Sequence, residues 1–449
     1  MVADTLCAAY SSGVNRHSTE ASLVRELGVW GLAASIVNIT IGGGIFRLPA
    51  AAAAQLGPAA PIAFILCAIA MCLIVLCFAE AGSRVSLTGG VYAYVEVAFG
   101  PLVGFLTGVM LWAGITVAMA AVSSFFGDAL VALIPALAPM RKLVIAVILL
   151  ALAALNIAGV RGANRFNAVM TVAKLVPLGL LIVFGLMSMN SANLRWTSTP
   201  DVGHLSRASV TIIFAFLGVE TALVPGAEVR EPARTIPRAI FLAMLVITVI
   251  YLIIQIVAQG VLGPALAGQP TPLAEAAAVA MGPIGRTLML VGMAVSMFGY
   301  VSGMTLAVPR TLFAFGRDGF LPAQLAAVHP RFHTPHVAIA IQTIIVVLIA
   351  IALPFEALAV IANGSILLVY AACCIAVIQL RRLHIEQNGT PFRAPLAAVV
   401  PIVAFLLIAF LLTSLTAEEW KWLLAIVAVS VVIFAASLPT RRQRSTSQT

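Results

Sequence analysis

Three features of the sequence could take part in chemistry: the consecutive glycines Gly42, Gly43 and Gly44, the carboxyl group of Glu220, and the amine of Lys174. All of them lie inside apolar stretches long enough to cross a bilayer. By insertion scales, a charged side chain at the bilayer centre costs at least about 2.5 kcal/mol, so Glu220 and Lys174 each need a partner, a proton or a polar cavity. These residue types could bind a small charged ligand and protons.

The three glycines interrupt their apolar stretch at its midpoint. Glycine destabilises a helix, and the N–H and C=O groups freed at bilayer depth are tolerated only inside protein or beside a polar cavity. Glycine also lets a ligand approach the main chain, and a helix that begins after the break directs its positive dipole end at an anion such as a carboxylate. We therefore predict a transporter's ligand site here; the alternative is close helix packing through small residues.

A second interruption, formed by Gly218, Pro225 and Gly226, places Glu220 near the bilayer centre. Matched interruptions in two halves of a chain are typical of inverted-repeat transporters. Two roles stay open for Glu220. A low-dielectric surrounding favours the protonated carboxyl group, so Glu220 could bind a proton and couple it to substrate movement. Alternatively, its carboxylate braces the unwound segment by accepting main-chain N–H bonds.

The composition is that of a polytopic membrane protein. Of 449 residues, 62% are hydrophobic and 9% are charged, whereas soluble domains have roughly 25% charged residues. The net charge of +9 does not indicate nucleic acid as a partner, because the basic residues are spread over short loops. We predict an all-α fold with twelve transmembrane helices, each close to the ~20 residues that a bilayer core requires. These helices are predicted at 28–55, 59–80, 101–132, 143–160, 167–189, 208–227, 238–263, 284–312, 336–353, 357–380, 396–415 and 420–438.

The distribution of Lys and Arg predicts the orientation of the chain. With both termini in the cytoplasm, most basic loop residues fall on the cytoplasmic side, as the positive-inside rule requires. We expect a multi-pass protein of the plasma (inner) membrane that contacts membrane lipid. The loop at 135–142 has no cysteine, so we expect no disulfide-linked partner subunit.

Four motifs carry a family resemblance. They are Gly42-Gly43-Gly44-Ile45-Phe46, Ala79-Glu80 with Thr88-Gly89-Gly90-Val91-Tyr92-Ala93-Tyr94, Glu228-Val229-Arg230-Glu231-Pro232, and Arg317-Asp318-Gly319-Phe320-Leu321-Pro322. On these residues the chain resembles the amino acid–polyamine–organocation transporters.

The resemblance implies a leucine-transporter-like core with a 5+5 inverted repeat and two peripheral helices. The implied division is a cytoplasmic tail at 1–27, a first repeat at 28–189, a second repeat at 208–380, two further helices at 396–438 and a cytoplasmic tail at 439–449.

The resemblance also implies the substrate-binding residues. An amino acid carboxylate would meet the main-chain N–H groups of Gly42, Gly43 and Gly44, and its ammonium group would meet main-chain carbonyls beside Gly218. The carbonyls are those near Ile39, Thr40, Phe214 and Leu217, and the ring of Phe214 would gate the substrate from one side.

Two further positions bear on coupling and substrate class. In many amino acid–polyamine–organocation transporters, a lysine at the place of Lys174 fills the space that sodium occupies in sodium-coupled relatives. The resemblance therefore disfavours sodium coupling. The alternative is a lysine that snorkels to the interface. Met119 and Met304 stand where arginine/agmatine exchangers have polar or aromatic residues, which favours a neutral substrate side chain. Arg47 could meet Glu220, recruit an acidic group or reach the external interface.

The sequence has no phosphate-loop or zinc-type motif, so we expect no cofactor and no metal. We predict that the chain is not an enzyme but a secondary active transporter of amino acids or related amines. It would work by alternating access, with proton coupling or exchange and without sodium. The alternative is a non-transporting amino acid sensor or binding subunit with the same fold.

Overall fold

A computed structural model describes residues 28–85, 90–158, 163–196, 199–222, 229, 231–386, 390–396 and 398–446. The predicted tail at 1–27 lies outside the described residues. So do Pro225 and Gly226 of the second predicted interruption and the motif positions Thr88, Gly89, Glu228 and Arg230.

The described chain is built from helices. They are α1 (Val29–Thr40), α2 (Gly44–Leu56), α3 (Ala60–Arg84), α4 (Val91–Phe99), α5 (Pro101–Leu133), α6 (Arg141–Ala158), α7 (Ala163–Ser188), α8 (Val202–Ile212), α9 (Val219–Ala222), α10 (Pro232–Leu262), α11 (Pro272–Ala307), α12 (Pro309–Arg317), α13 (His336–Ala352), α14 (Phe355–Arg382), α15 (Val399–Leu412) and α16 (Ala417–Thr446). Short 3₁₀ turns lie at Gly57–Ala59, Pro135–Met140, Ser191–Leu194, Ile213–Phe216, Gly263–Leu266 and Ala323–Ala326.

The prediction of an all-helical membrane fold is confirmed. Among the described residues, 7 helical runs are long and apolar enough to cross a membrane, and the shorter apolar helices include α1, α8, α13 and α15. Several of the other predicted spans form shorter helices, because a break divides them or because they have fewer than 18 residues. The number of twelve spans and the 5+5 repeat stay predictions.

The interrupted helices lie inside the bundle. Helix α1 packs against α10, and α2 packs against α8, while α14 packs along α5 and α11 packs along α7. By contrast, only 17% of the most apolar stretch of α16 is buried inside the protein. The two interruptions are therefore surrounded by protein, which is where freed main-chain groups can be stabilised.

The Ala79-Glu80 motif lies at a buried ion cluster. Glu80 is fully buried and accepts hydrogen bonds from Arg381 Nε at 2.7 Å, Arg84 Nη2 at 2.9 Å and the main-chain N–H of Ala394 at 2.9 Å. A buried carboxylate is stable only when its oxygens are paired in this way. The cluster joins the ends of α3 and α14 to the segment before α15.

The motif that follows α12 belongs to an aromatic cluster. Phe320 stacks on Phe105 with ring centroids 4.3 Å apart, and it also contacts Phe434 at 6.0 Å. Phe315 meets Phe105 edge to face at 5.3 Å. This motif therefore fastens the α12 region to α5 and α16.

Candidate functional site

The first interruption separates α1 from α2. Helix α1 ends at Thr40 and α2 begins at Gly44, so Ile41, Gly42 and Gly43 lie outside both helices. The N–H of Ile41 still donates to Val37 O at 3.0 Å, and the N–H of Gly42 turns back to Thr40 O at 2.7 Å. The helix break that the three glycines predict is present.

The second interruption follows α8. The helix tightens into a 3₁₀ turn at Ile213–Phe216, Leu217 is extended, and α9 begins at Val219. Between them, Gly218 has φ +117°, a conformation that L side chains rarely adopt. The predicted second break is therefore present at Gly218, and its geometry requires glycine there.

The two breaks touch each other. A Cβ atom built on Gly218 would lie 2.8 Å from Ile39 Cγ2 and 3.3 Å from Thr40 N. One built on Gly44 would lie 3.1 Å from Phe214 Cδ1 and 3.2 Å from the Cα of Ala215. Residues that lie at least 170 positions apart in sequence thus meet at one place inside the bundle.

Tyr251 of α10 joins the two breaks. Its hydroxyl is buried and lies 3.0 Å from Thr40 O and 2.8 Å from Ala215 O. A tyrosine hydroxyl has one proton, which these two carbonyls share. The side chain fixes the end of α1 and the 3₁₀ turn after α8 relative to each other.

Glu220 braces the second break. Its carboxylate accepts the main-chain N–H of Gly218, with Oε1 and Oε2 at 3.1 and 3.0 Å, and the hydroxyl of Tyr370 at 2.6 Å. Glu220 is 2% exposed. These contacts are those of the bracing role, and they connect α9 to α14 through Tyr370.

Lys174 is bound to the end of α1. Its Nζ donates to the main-chain carbonyl of Asn38, and the side chain is 5% exposed. Such burial does not fit a lysine that snorkels to the interface. One turn further along α7, Pro177 lies so close to α11 that a Cβ on Gly292 would be 2.4 Å from Pro177 Cγ. Lys174 thus holds α1 beside the α7–α11 pair.

The three glycines have different surroundings. A Cβ on Gly43 would lie 3.2 Å from Val122 and 3.4 Å from Met297, whereas a Cβ on Gly42 would make only an ordinary contact with Tyr300 at 3.5 Å. Close packing, the alternative that the sequence left open, therefore describes Gly43 and Gly44. Gly42 has room for a methyl group.

Arg47 recruits an acidic group and does not meet Glu220. Its Nε and Nη2 donate to Glu356 Oε1 at 2.8 and 2.6 Å, and its Nη1 donates to Pro270 O at 2.5 Å. The guanidinium carbon lies 5.8 Å from the ring centroid of Phe125. Arg47 thus ties α2 to the start of α14 and to the segment before α11.

An aromatic layer lies between this ion pair and the breaks. Phe355 contacts Phe125 at a centroid distance of 5.5 Å and meets Phe214 edge to face at 5.4 Å. Phe214, the gating residue implied by the resemblance, is 6% exposed and also contacts Gly44 across the breaks. The rings of Phe125, Phe214 and Phe355 therefore cover the contact between the breaks on the side where Arg47 and Glu356 form their ion pair.

The profile of the amino acid permease family matches residues 27–441. The chain belongs to this family. The permease is 30% identical to the methylthioribose transporter of Bacillus subtilis over 440 residues, which cover 94% of this chain and 95% of that relative. It is 29% identical to a branched-chain amino acid permease of the same organism over 429 residues, which cover 89% and 90%. A serine/threonine exchanger of that organism is 28% identical over 403 residues, which cover 86% and 90%.

Membership of the family confirms the prediction of an integral membrane transporter rather than an enzyme. Relatives named as amino acid permeases and exchangers support amino acid transport for this permease.

Sequence reasoning missed the partners of the breaks, namely Tyr251, Tyr370 and Glu356. Tyrosine in membrane proteins is enriched at the two interfaces, whereas Tyr251 and Tyr370 lie well inside α10 and α14. Their position in the middle of apolar helices, in a chain with only 6 tyrosines, is the signal that could have found them.

Proposed function

We propose that this permease is a sodium-independent secondary active transporter of neutral amino acids, which binds its substrate where the two broken helices meet. The observation that supports the proposal most is the contact between Gly218 and the end of α1. This contact brings helix ends of opposite polarity to one buried place.

The substrate carboxylate is assigned to the start of α2. The first N–H groups of a helix have no intrahelical acceptor, and the helix dipole favours an anion there. At Gly42 a ligand can come closest to the main chain. A methyl group at this position would fit beside the side chain of Tyr300, but little more would. Gly43 and Gly44 contribute main-chain groups while their missing side chains let the neighbouring helices pack.

The substrate ammonium group is assigned to main-chain carbonyls at the two breaks. Thr40 O already accepts hydrogen bonds from Gly42 N and Tyr251, so both of its lone pairs are in use. Phe214 O accepts the N–H of Leu217 at 3.3 Å. The carbonyls of Ile39 and Leu217 are therefore the better acceptors in this conformation, with Phe214 contributing its second lone pair.

The surroundings of the breaks favour a neutral, apolar substrate side chain. Val122 and Met297 line the first break, and Met119 and Met304 are buried in the same region of α5 and α11. A second charge in such a medium would be strongly unfavourable. The names of the branched-chain amino acid permease and of the serine/threonine exchanger both indicate neutral side chains, and the first also indicates apolar ones.

Lys174 and Glu220 are assigned to coupling. The Lys174 amine supplies a cation beside the end of α1, so an ion from solution is not required there. A proton on Glu220 would take one oxygen away from Gly218 N or Tyr370, which would loosen the second break. Proton binding and movement of α9 would then be linked, in a symporter or an exchanger.

Alternating access requires the cover over the site to open. With both termini in the cytoplasm of a cell bounded by the plasma membrane, Arg47 and Glu356 lie on the external side. Opening to the outside would then separate this ion pair and the contact between Phe214 and Phe355. A sensor with the same fold would bind the amino acid without this cycle.

The experiment is a thermal-shift panel of amino acids, amines and methylthioribose on the purified permease, followed by uptake into proteoliposomes. We expect the largest shift from a neutral amino acid, because a ligand of the folded state raises its apparent stability. Uptake of that amino acid should respond to a pH gradient or to internal exchange substrate and should persist when choline replaces sodium. Binding without uptake would identify a sensor, and a strict sodium requirement would contradict the role of Lys174.

A further inference from the structure

A cavity of about 470 Å³ lies away from the two breaks, where the start of α8 meets the turn between α15 and α16. Its walls include Val202, Ser206, Arg207, Phe410, Thr413 and Ser414. Val202 and Thr413 are exposed at the rim, whereas Ser206 is buried. The volume is in the range of sites for small ligands.

One residue of the cavity wall, Ser206, has a hydroxyl group without a hydrogen-bond partner in the part of the chain that the structure describes. Ser206 is 3% exposed, and its Oγ has no hydrogen-bond partner among the described residues. The neighbouring hydroxyls differ, because Thr413 Oγ1 donates to Phe410 O at 2.6 Å and Ser414 Oγ donates to Leu411 O at 2.9 Å. Buried hydroxyls are almost always paired, so Ser206 is suited to bind a polar atom of a ligand.

The charge in the cavity wall is already neutralised. Arg207 donates to both carboxylate oxygens of Glu419, at 2.7 and 2.8 Å, and to Ser414 O at 3.1 Å. A guanidinium group held in this bidentate way has little attraction left for an anion. The Ser206 hydroxyl is therefore better suited to an uncharged polar group than to an anion.

The first turns of α16 indicate how deep in the membrane the cavity lies. Glu418 and Lys421 form an ion pair and are 74% and 69% exposed, as expected in water. Trp422 and Leu424, which follow directly, are 61% and 59% exposed and apolar. Tryptophan is typical of the membrane–water interface, so the cavity beside Ser414 lies at the level of that interface. The ester groups of glycerolipids lie in this interfacial layer.

We propose that the cavity binds a membrane glycerolipid by its ester region. The hydroxyl of Ser206 donates a hydrogen bond to an ester carbonyl oxygen, and the adjoining acyl chain lies on Phe410 and Val202. The lipid would contact the start of α8, the helix that leads into the second break.

The test compares two lipids that differ only in the proposed acceptor. Native mass spectrometry of the delipidated permease would measure the binding of dioleoylphosphatidylethanolamine and of its diether analogue, which lacks both ester carbonyls. One hydrogen bond corresponds to a preference of about three- to tenfold for the ester lipid. Equal binding of the two lipids to the unmodified protein would overturn the proposal without any variant.

Two variants locate the effect. Ser206→Val should bind both lipids equally, whereas Thr413→Val should keep the preference, because the Thr413 hydroxyl is already bound to the Phe410 carbonyl. An ester preference that survives in Ser206→Val, or that is lost in Thr413→Val alone, would contradict the assignment. Amino acid binding should be unchanged in both variants, which shows that each is folded.

Discussion

The two breaks face each other, yet they are stabilised in different ways. The first contains only Ile41, Gly42 and Gly43, so it has no polar side chain of its own and depends on Tyr251 and Lys174 from other helices. The second has Glu220, which binds the N–H of Gly218 two residues before it. The first break is held by side chains of other helices, whereas the second is held partly by its own Glu220 and partly by Tyr251 and Tyr370.

This difference assigns different tasks to the two breaks. A break that has only main-chain groups can offer them to a ligand, because no side chain of its own competes for them. A break that is locked by a titratable side chain can change shape when that side chain binds a proton. We therefore infer that the first break is chiefly the binding element and the second chiefly the moving element, and four predictions test this division.

Gly218→Ala should have the largest effect. The new Cβ would be strained at φ +117° and would lie 2.8 Å from Ile39 Cγ2. Backbone strain of this kind costs of order 1–3 kcal/mol before the contact is counted. The apparent melting temperature in detergent should fall by several degrees. Gly268→Ala is the matched control, because Gly268 has φ +80° but a Cβ there would have no atom within 4 Å. An equal fall in melting temperature in both variants would show that the contact between the breaks does not contribute to stability.

Tyr251→Phe should loosen both breaks. It removes the donor that Thr40 O and Ala215 O share. Thr40 O keeps the N–H of Gly42, whereas Ala215 O loses the Tyr251 donor, and a buried carbonyl left without a donor costs about 1–3 kcal/mol. Both the melting temperature and the substrate affinity should fall. Tyr370→Phe, which removes only a donor to Glu220, should lower the melting temperature with a smaller change in affinity. The reverse order of affinities would contradict the division of tasks.

Gly42→Ala should weaken substrate binding about tenfold or more, which corresponds to about 1.4 kcal/mol. The methyl group would lie beside the N–H groups assigned to the carboxylate, yet its nearest neighbour would be Tyr300 at an ordinary 3.5 Å. The melting temperature without substrate should therefore stay unchanged. Gly179→Ala, where no atom lies within 4 Å, should leave affinity unchanged. Unaltered affinity in Gly42→Ala would exclude this main-chain site.

Glu220→Gln should have only a small effect on stability, because the amide oxygen still accepts the N–H of Gly218. Its effect is on coupling, since a glutamine cannot release or take up the proton. Transport measured between pH 5 and 8 should lose its pH dependence. A profile of unchanged shape at a uniformly lower rate would leave Glu220 with the bracing role alone.

The sequence predicted both breaks and the burial of Glu220 and Lys174 because each follows from local rules. Glycines in an apolar stretch destabilise a helix wherever the chain folds, and a charge at bilayer depth must be covered. The partners could not be predicted, because they depend on which helices meet. A tyrosine in the middle of an apolar helix can be singled out from the sequence, but the group that it binds cannot, since Tyr251 lies 211 positions from Thr40. Glu356 likewise lies 309 positions from Arg47.

The glycines of the first break show the limit of pattern-based reasoning most clearly. As residue types they are identical, and the sequence assigned one role to all three. In the fold, Gly43 and Gly44 are packed against Val122 and Phe214, while Gly42 has free room. Only the tertiary contacts separate a glycine needed for packing from one that leaves space for a ligand.

The most direct test is a binding comparison with three matched ligands. They are the amino acid that gives the largest thermal shift, its amide, which lacks the carboxylate, and its deaminated acid, which lacks the ammonium group. If the two breaks bind both ends of a zwitterion, only the complete amino acid should bind well, and Gly42→Ala should abolish its advantage over the amide. Equal affinity for all three ligands, or an advantage that persists in Gly42→Ala, would contradict binding at the contact between the breaks.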